Sequence, residues 1–255
     1  MKIKVSLILV LLAGSVFTFT GCKKSSTNPS GPALTPKQVT SQIALNLNAV
    51  LYDGFGAFSL NSGMGAPGSL GLVHTHGLKL SDITDPLCGT SVDTTLNYSV
   101  SENGVQASVK GNIGFSFICN SGILSGFEIK DNLVVGESSA DYSLAVKLAE
   151  DLTLVSQNPQ NDNSNLSLSG TFGYDGTYNY KSGNSTQNFS YTFNSVVLDA
   201  DGQILSGSAT FATNGGGKNG VWNYSGSIKF LGNGNATVTI NGTVYNVNID
   251  TGAVS

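Results

Sequence analysis

His74 and His76 are the only histidines in the chain, and they lie two residues apart. On an extended strand that spacing puts both imidazoles on one face, which a metal site could use. Zinc needs a third and usually a fourth ligand. The nearest carboxylates are Asp82 and Asp85, so the pair reads equally as packed or solvated imidazoles. Glu150-Asp151 is the only adjacent acidic pair. A strand would send its members to opposite faces, and we read it as a solvated turn. Glycoside hydrolysis needs two carboxyls about 5 to 9.5 Å apart, which the scattered Asp and Glu residues leave open. There is no Gly-rich phosphate loop, C-x-x-C, H-E-x-x-H or G-x-S-x-G elbow. A Ser/His/Asp relay would have to use His74 or His76, with no recognisable nucleophile nearby. No catalytic residue and no cofactor are expected. Trp222, Tyr224, Tyr178 and Tyr180 offer a flat stacking surface for sugars or peptides, weighed against packing on a sheet face.

Of the three cysteines, Cys88 and Cys119 are placed by the turn between them. Asn103-Gly104 is a strong two-residue hairpin signal, because both residues accept the positive φ of a type I′ turn. With Glu102 facing Val105, paired residue numbers sum to 207. Val100 then faces Ala107, Tyr98 faces Val109, Thr94 faces Ile113 and Val92 faces Phe115, all on one mostly apolar face. Cys88 falls opposite Cys119 at a hydrogen-bonded pair, with Cα atoms about 5.5 Å apart, inside the range a disulfide accepts. A cross-strand disulfide is expected, with two buried thiols as the alternative. A bulge at Gly111 or Gly114 would shift this register by one.

Met1-Lys2-Ile3-Lys4 is a short basic start, Val5 to Thr20 is almost wholly apolar or small, and Phe19-Thr20-Gly21-Cys22 lies at its foot. A signal h-region takes roughly 7–15 apolar residues and a spanning helix about 20; the run fits the first. The segment resembles the signal peptide and lipobox of bacterial lipoproteins, Gly21 matching the small residue before the cysteine. The resemblance implies that residues 1–21 are a leader cut before Cys22. It also implies a lipid thioether on Cys22, whose buried CH₂ groups contribute about 0.8 kcal/mol each. In that family an Asp after the cysteine tends to retain the protein in the inner membrane. Lys23 and Lys24 stand there instead, which implies the outer membrane of a bacterial envelope. Residues 22–35 then form a polar Pro/Ser/Gly tether, which holds the domain on the order of 20 Å from the bilayer.

The chain carries 12 basic and 16 acidic residues, and the basic ones are all Lys. Removing Lys2 and Lys4 with the leader leaves 10 against 16, a net of −6. Without Arg forks or a basic patch, nucleic acid is not an expected partner. A charged fraction of 11%, with abundant Gly, Ser, Thr and Asn, fits a secreted β protein.

Thr35-Pro36-Lys37-Gln38 combines a capping box with proline at the first helical position. Val39, Ile43, Leu47 and Val50 follow on one stripe, so a helix is expected over 36–52. Residues 53–88 are irregular. From Gly89 onward apolar residues alternate, as in Phe189, Tyr191 and Phe193, or Ala236, Val238 and Ile240. Turn signals separate the runs at Asp175-Gly176, Asp201-Gly202, Asn214-Gly215-Gly216-Gly217, Asn219-Gly220, Gly232-Asn233-Gly234 and Asn241-Gly242. Gly89-Thr90 recurs as Gly170-Thr171, Ile123-Leu124-Ser125-Gly126 as Ile204-Leu205-Ser206-Gly207, and Tyr142-Ser143 as Tyr224-Ser225. This ordered series, offset by 81 or 82, reads as two tandem repeats over 89–169 and 170–255.

The expectation is an all-β antiparallel meander of about 10–12 strands with one buried side, forming a single domain over 36–255. It would curl into a sandwich or an open or closed barrel, with the helix packed on it. A membrane-spanning barrel also alternates, but the strands show no lipid-facing band and the lipid anchor would be redundant. The reading of function is a non-catalytic outer-membrane lipoprotein that binds or scaffolds an envelope polysaccharide, protein or lipid. The alternatives are a carrier of an apolar ligand inside the curled sheet, and a secreted hydrolase or metal enzyme.

Overall fold

The computed structural model describes residues 34–52, 60, 88–161, 163–181, 183–218 and 220–255. The lipobox with Cys22, the tether up to residue 33, and His74, His76, Asp82 and Asp85 lie outside them.

Helix α1 (Pro36–Leu51) starts where its capping box places it. The Thr35 hydroxyl accepts the Gln38 N–H at 3.4 Å, and Gln38 Oε1 accepts the Thr35 N–H at 2.9 Å. Because Pro36 has no N–H, three donors open this helix, and two of them, the Thr35 and Gln38 N–H groups, are thereby engaged. The apolar stripe is wholly covered: Val39, Ile43, Ala44, Leu47, Val50 and Leu51 are each 0% exposed.

Ten strands follow: β1 (Ser91–Glu102), β2 (Val105–Asn120), β3 (Ile123–Ser138), β4 (Tyr142–Ser156), β5 (Leu166–Tyr180), β6 (Gly183–Leu198), β7 (Ile204–Gly217), β8 (Gly220–Gly232), β9 (Asn235–Ile240) and β10 (Thr243–Asn248). They form one antiparallel sheet in sequence order, a pure meander that does not close into a barrel. The β1·β2 register keeps the sum of 207 from Ser91↔Ser116 to Glu102↔Val105 without a bulge. Asn103 and Gly104 have φ of 51° and 78°, as the hairpin turn requires.

One side of the sheet, the inner face, carries the core. Phe172, Tyr191, Phe193, Phe230 and Leu152 are each at 1–2% exposure. Phe189, Tyr191 and Phe193 stack along β6, with centroids 6.2 and 6.1 Å apart. α1 lies against this face near its late strands. Gln187 Nε2 donates to Gln42 Oε1 at 3.1 Å, the Tyr224 hydroxyl to the Leu34 carbonyl at 2.9 Å, and Ser41 Oγ to the Gly252 carbonyl at 2.7 Å. The strands can coil because backbones cross closely at Gly111 and Gly170. A Cβ there would meet the neighbouring strand's carbonyl oxygen at 1.9 and 2.0 Å, so a side chain would push the strands apart.

Three expectations are corrected. Glu150-Asp151 is not a turn but the middle of β4, because its flanks keep strict alternation: Leu148 and Leu152 are buried with Glu150, and Asp151 faces out. Asp175-Gly176 lies inside β5, and Asn214-Gly215-Gly216-Gly217 ends β7 without turning. None of these glycines has positive φ. Rings cover two of them: the Tyr174 hydroxyl and ring lie 2.5–2.9 Å from the site of a Gly176 Cβ, and the Trp222 ring 2.1–2.4 Å from that of Gly215.

An offset of 81 carries the start of β3 at Ile123 to that of β7 at Ile204. The hairpin registers do not follow it. The turn at Asn103-Gly104 would recur at Asn184-Ser185, whereas Tyr180 faces Gly183 and the chain reverses between those two. Repeated residues thus hold different pairing positions.

Candidate functional site

β4, β5 and β8 bring aromatic side chains to one end of the inner face. Alternation along β5 puts Tyr174, Gly176, Tyr178 and Tyr180 on that face. Pairing places Tyr142 opposite Tyr180 and Leu144 opposite Tyr178. Across the sheet, Gly176 faces Gln187, Gln187 faces Gly215 and Gly215 faces Trp222. The row is therefore two small residues, each roofed by a ring, flanking one amide.

Burial falls off along β5. Tyr174 is 6% exposed and Tyr180 is 38% exposed, with Tyr178 between them. The Tyr174 and Tyr178 hydroxyls hydrogen-bond to each other. Burial pushes the ionisation of both phenols up, since a phenolate loses its hydration there. Tyr142 and Tyr180 form the outermost pair, ring centroids 6.4 Å apart. The Tyr142 hydroxyl donates to Glu137 Oε1, and that hydrogen bond holds its ionisation at about 12.

Of the four stacking candidates, Tyr178, Tyr180 and Trp222 share this half-covered end. Tyr224 is on the same face, but its hydroxyl is engaged by the Leu34 carbonyl, so it serves to seat the segment before α1. Tyr142 and Tyr174 complete the group and were not singled out by sequence reading. The signal was present: Tyr142 sits two residues before Leu144 in the alternating phase of β4, and Tyr174 two before Gly176 in that of β5.

The acids divide between the two faces. Asp131 and Glu150 face each other across β3 and β4 on the inner side, each 3% exposed. Asp131 Oδ1 accepts the Glu150 N–H at 3.1 Å. A glycosidic bond has to reach both acid groups of a hydrolase, and these two are on the covered side. Their phase gives them away in sequence, since Ile129, Asp131 and Leu133 alternate with exposed residues. On the outer face lies a depression of about 390 Å³, lined by Asp93, Asn112, Lys130, Asp151 and Thr171 among others. Lys130 Nζ reaches Glu128 at 2.8 Å and Asp151 at 3.9 Å. The Glu128 hydrogen bond, then the Asp151 charge, holds the ammonium above its ordinary range. All three side chains are exposed or half-exposed, so water screens the cluster.

Among the described residues no three His, Cys, Asp or Glu side chains are grouped to hold a metal. The Cys88 and Cys119 sulfurs lie at disulfide distance, with Cα atoms 5.5 Å apart, as the register requires. Among the described residues no helix is long and apolar enough to cross a membrane.

No protein-family model, curated protein or solved structure matches this chain. Its chemistry is therefore argued from its own residues: aromatic rings at one end of a buried face, and charged groups on the opposite one.

Proposed function

We propose that the protein is a non-catalytic lipoprotein of the bacterial outer membrane, tethered at Cys22, that binds envelope polysaccharide on the aromatic end of its inner face. One observation carries the binding reading. The inner face is buried over most of its length, yet at one end it presents Tyr142, Tyr178 and Tyr180, with Trp222 on the same face three strands across, partly open to solvent. Sugar rings carry apolar C–H faces that pack on such rings, and the Glu137 carboxylate, which accepts from Tyr142 through one oxygen, has a second for a sugar hydroxyl. The lipobox residues and the polar stretch after them support the tether.

Trp222 is the only tryptophan, so its emission reports on the site alone. Full-length protein in detergent is titrated with soluble envelope polysaccharide fragments. A saturable change in emission is expected, weakened about tenfold by Tyr180→Ala with unchanged thermal unfolding. A flat titration across fragments would remove the aromatic end as a binding site. For the tether, wild-type protein should take up a radiolabelled fatty acid and the Cys22→Ser variant should not.

A further inference from the structure

We propose that β1 is a homodimer edge, on which a second copy of this chain adds its own β1 antiparallel about a twofold axis at Leu96. The two ends of the sheet differ. At β10 the chain folds back: Asn246 and Ser255 exchange hydrogen bonds at 3.2 and 3.0 Å, Asn248 N–H donates to Ala253 at 3.0 Å, and Val247 bridges Val254. At β1, among the described residues, nothing lies beyond the strand. Phe117 N–H donates to the Thr90 carbonyl at 3.0 Å, which fixes the phase. Even-numbered residues turn their backbone groups to β2, and Ser91, Asp93, Thr95, Asn97, Ser99 and Ser101 turn theirs outward. The strand is 12 residues long, about twice the usual length. It has no Pro, no Lys and no bulge, the features that normally blunt an edge.

The sequence of β1 is self-complementary in one register. With partner numbers summing to 192, Leu96 meets its own symmetry mate, Val92 meets Val100, and Thr94 meets Tyr98. All three contacts fall on the inner face, where Val92 is 39% and Tyr98 47% exposed. On the outer face Ser91 meets Ser101, Asp93 meets Ser99 and Thr95 meets Asn97. The two Asp93 carboxylates lie about 20 Å apart, at about 3.3 Å per residue. A slip by two in one direction sets Val92 against Glu102; in the other it sets Leu96 against Thr94. The paired edges exchange about 12 main-chain hydrogen bonds.

Full-length protein in detergent is examined by light scattering over a concentration series. A concentration-dependent dimer is expected, weakened at least tenfold by Ser99→Glu, which sets a carboxylate opposite each Asp93, and tightened by Ser99→Lys. Ser99 is exposed, so thermal unfolding of the dilute protein reports whether either variant is folded. Leu96→Cys is expected to yield a disulfide-linked dimer on a non-reducing gel, because a non-hydrogen-bonded pair brings Cα atoms within about 4.5 Å. A single-chain mass at every concentration would overturn the proposal. So would a dimer indifferent to charge at Ser99, linkage through Thr95→Cys in place of Leu96→Cys, or a different chain found paired on β1.

Discussion

Tyr142 and Glu137 show how one hydrogen bond sets a titration. The bond to the carboxylate comes first, lost hydration second and the carboxylate charge third, and together they bring the phenol to about 12. An unfolded tyrosine ionises near 10. Because the folded value is the higher, the stabilisation is complete below about pH 10 and is lost as pH rises through about 12. Tyr142→Phe should flatten stability across that window, and a tyrosinate absorbance titration should lose a component near its upper end. Asp131 poses a different question, since its carboxylate serves a buried N–H of Glu150. Asp131→Ala is expected to cost about 1.5 kcal/mol by removing one hydrogen bond to a charged acceptor. Asp131→Asn keeps an oxygen in place and should cost less; chemical denaturation of both variants checks the order. Gly215→Ala would put a methyl 2.1 Å from the Trp222 ring. Overpacking of that kind costs typically 1–3 kcal/mol, and Trp222 emission should shift with it.

At the level of elements, α1 is specified locally. Thr35→Ala removes one side of the capping box and should lower stability by about 1 kcal/mol, read as a fall in midpoint with unchanged denaturant slope. The first hairpin was equally legible, because Asn103-Gly104 fixes a register that Cys88 and Cys119 fit independently. Other elements hid their signals. Asp175-Gly176 and Asn214-Gly215 have turn composition, yet a glycine under an aromatic ring is indistinguishable in sequence from one that turns the chain. Glu150-Asp151 was obscured in the same way: two adjacent acids suggest solvent, and only the phase of Leu148 and Leu152 assigns Glu150 to the core. The aromatic site was half visible, its residues being named while their partners Tyr142 and Tyr174 were not. Which rings remain open to solvent depends on how far α1 reaches over the inner face, and no local pattern encodes that.

For the whole molecule, alternation foretold a one-sided meander, and strand count came out at the lower end of expectation. Closure was not legible, because alternation is the same in a sandwich, a barrel and an open sheet. The open sheet leaves its two margins in different states, one folded back on itself and one, among the described residues, bare. Its hairpins join neighbours in sequence, so each can zip onto the last as soon as both strands exist. The seat of α1 is another matter. Ser41 is held by Gly252, 211 residues later, and a Cβ at Gly252 would collide with Leu45 at 2.6 Å. A chain truncated after Ile249 should keep its β circular dichroism but lose protection of α1 against limited proteolysis. Among the described residues, the first element in sequence is thus the last to settle, its seat completed only when Gly252 arrives. Under the proposed export, such a late closure would suit a polypeptide that travels unfolded.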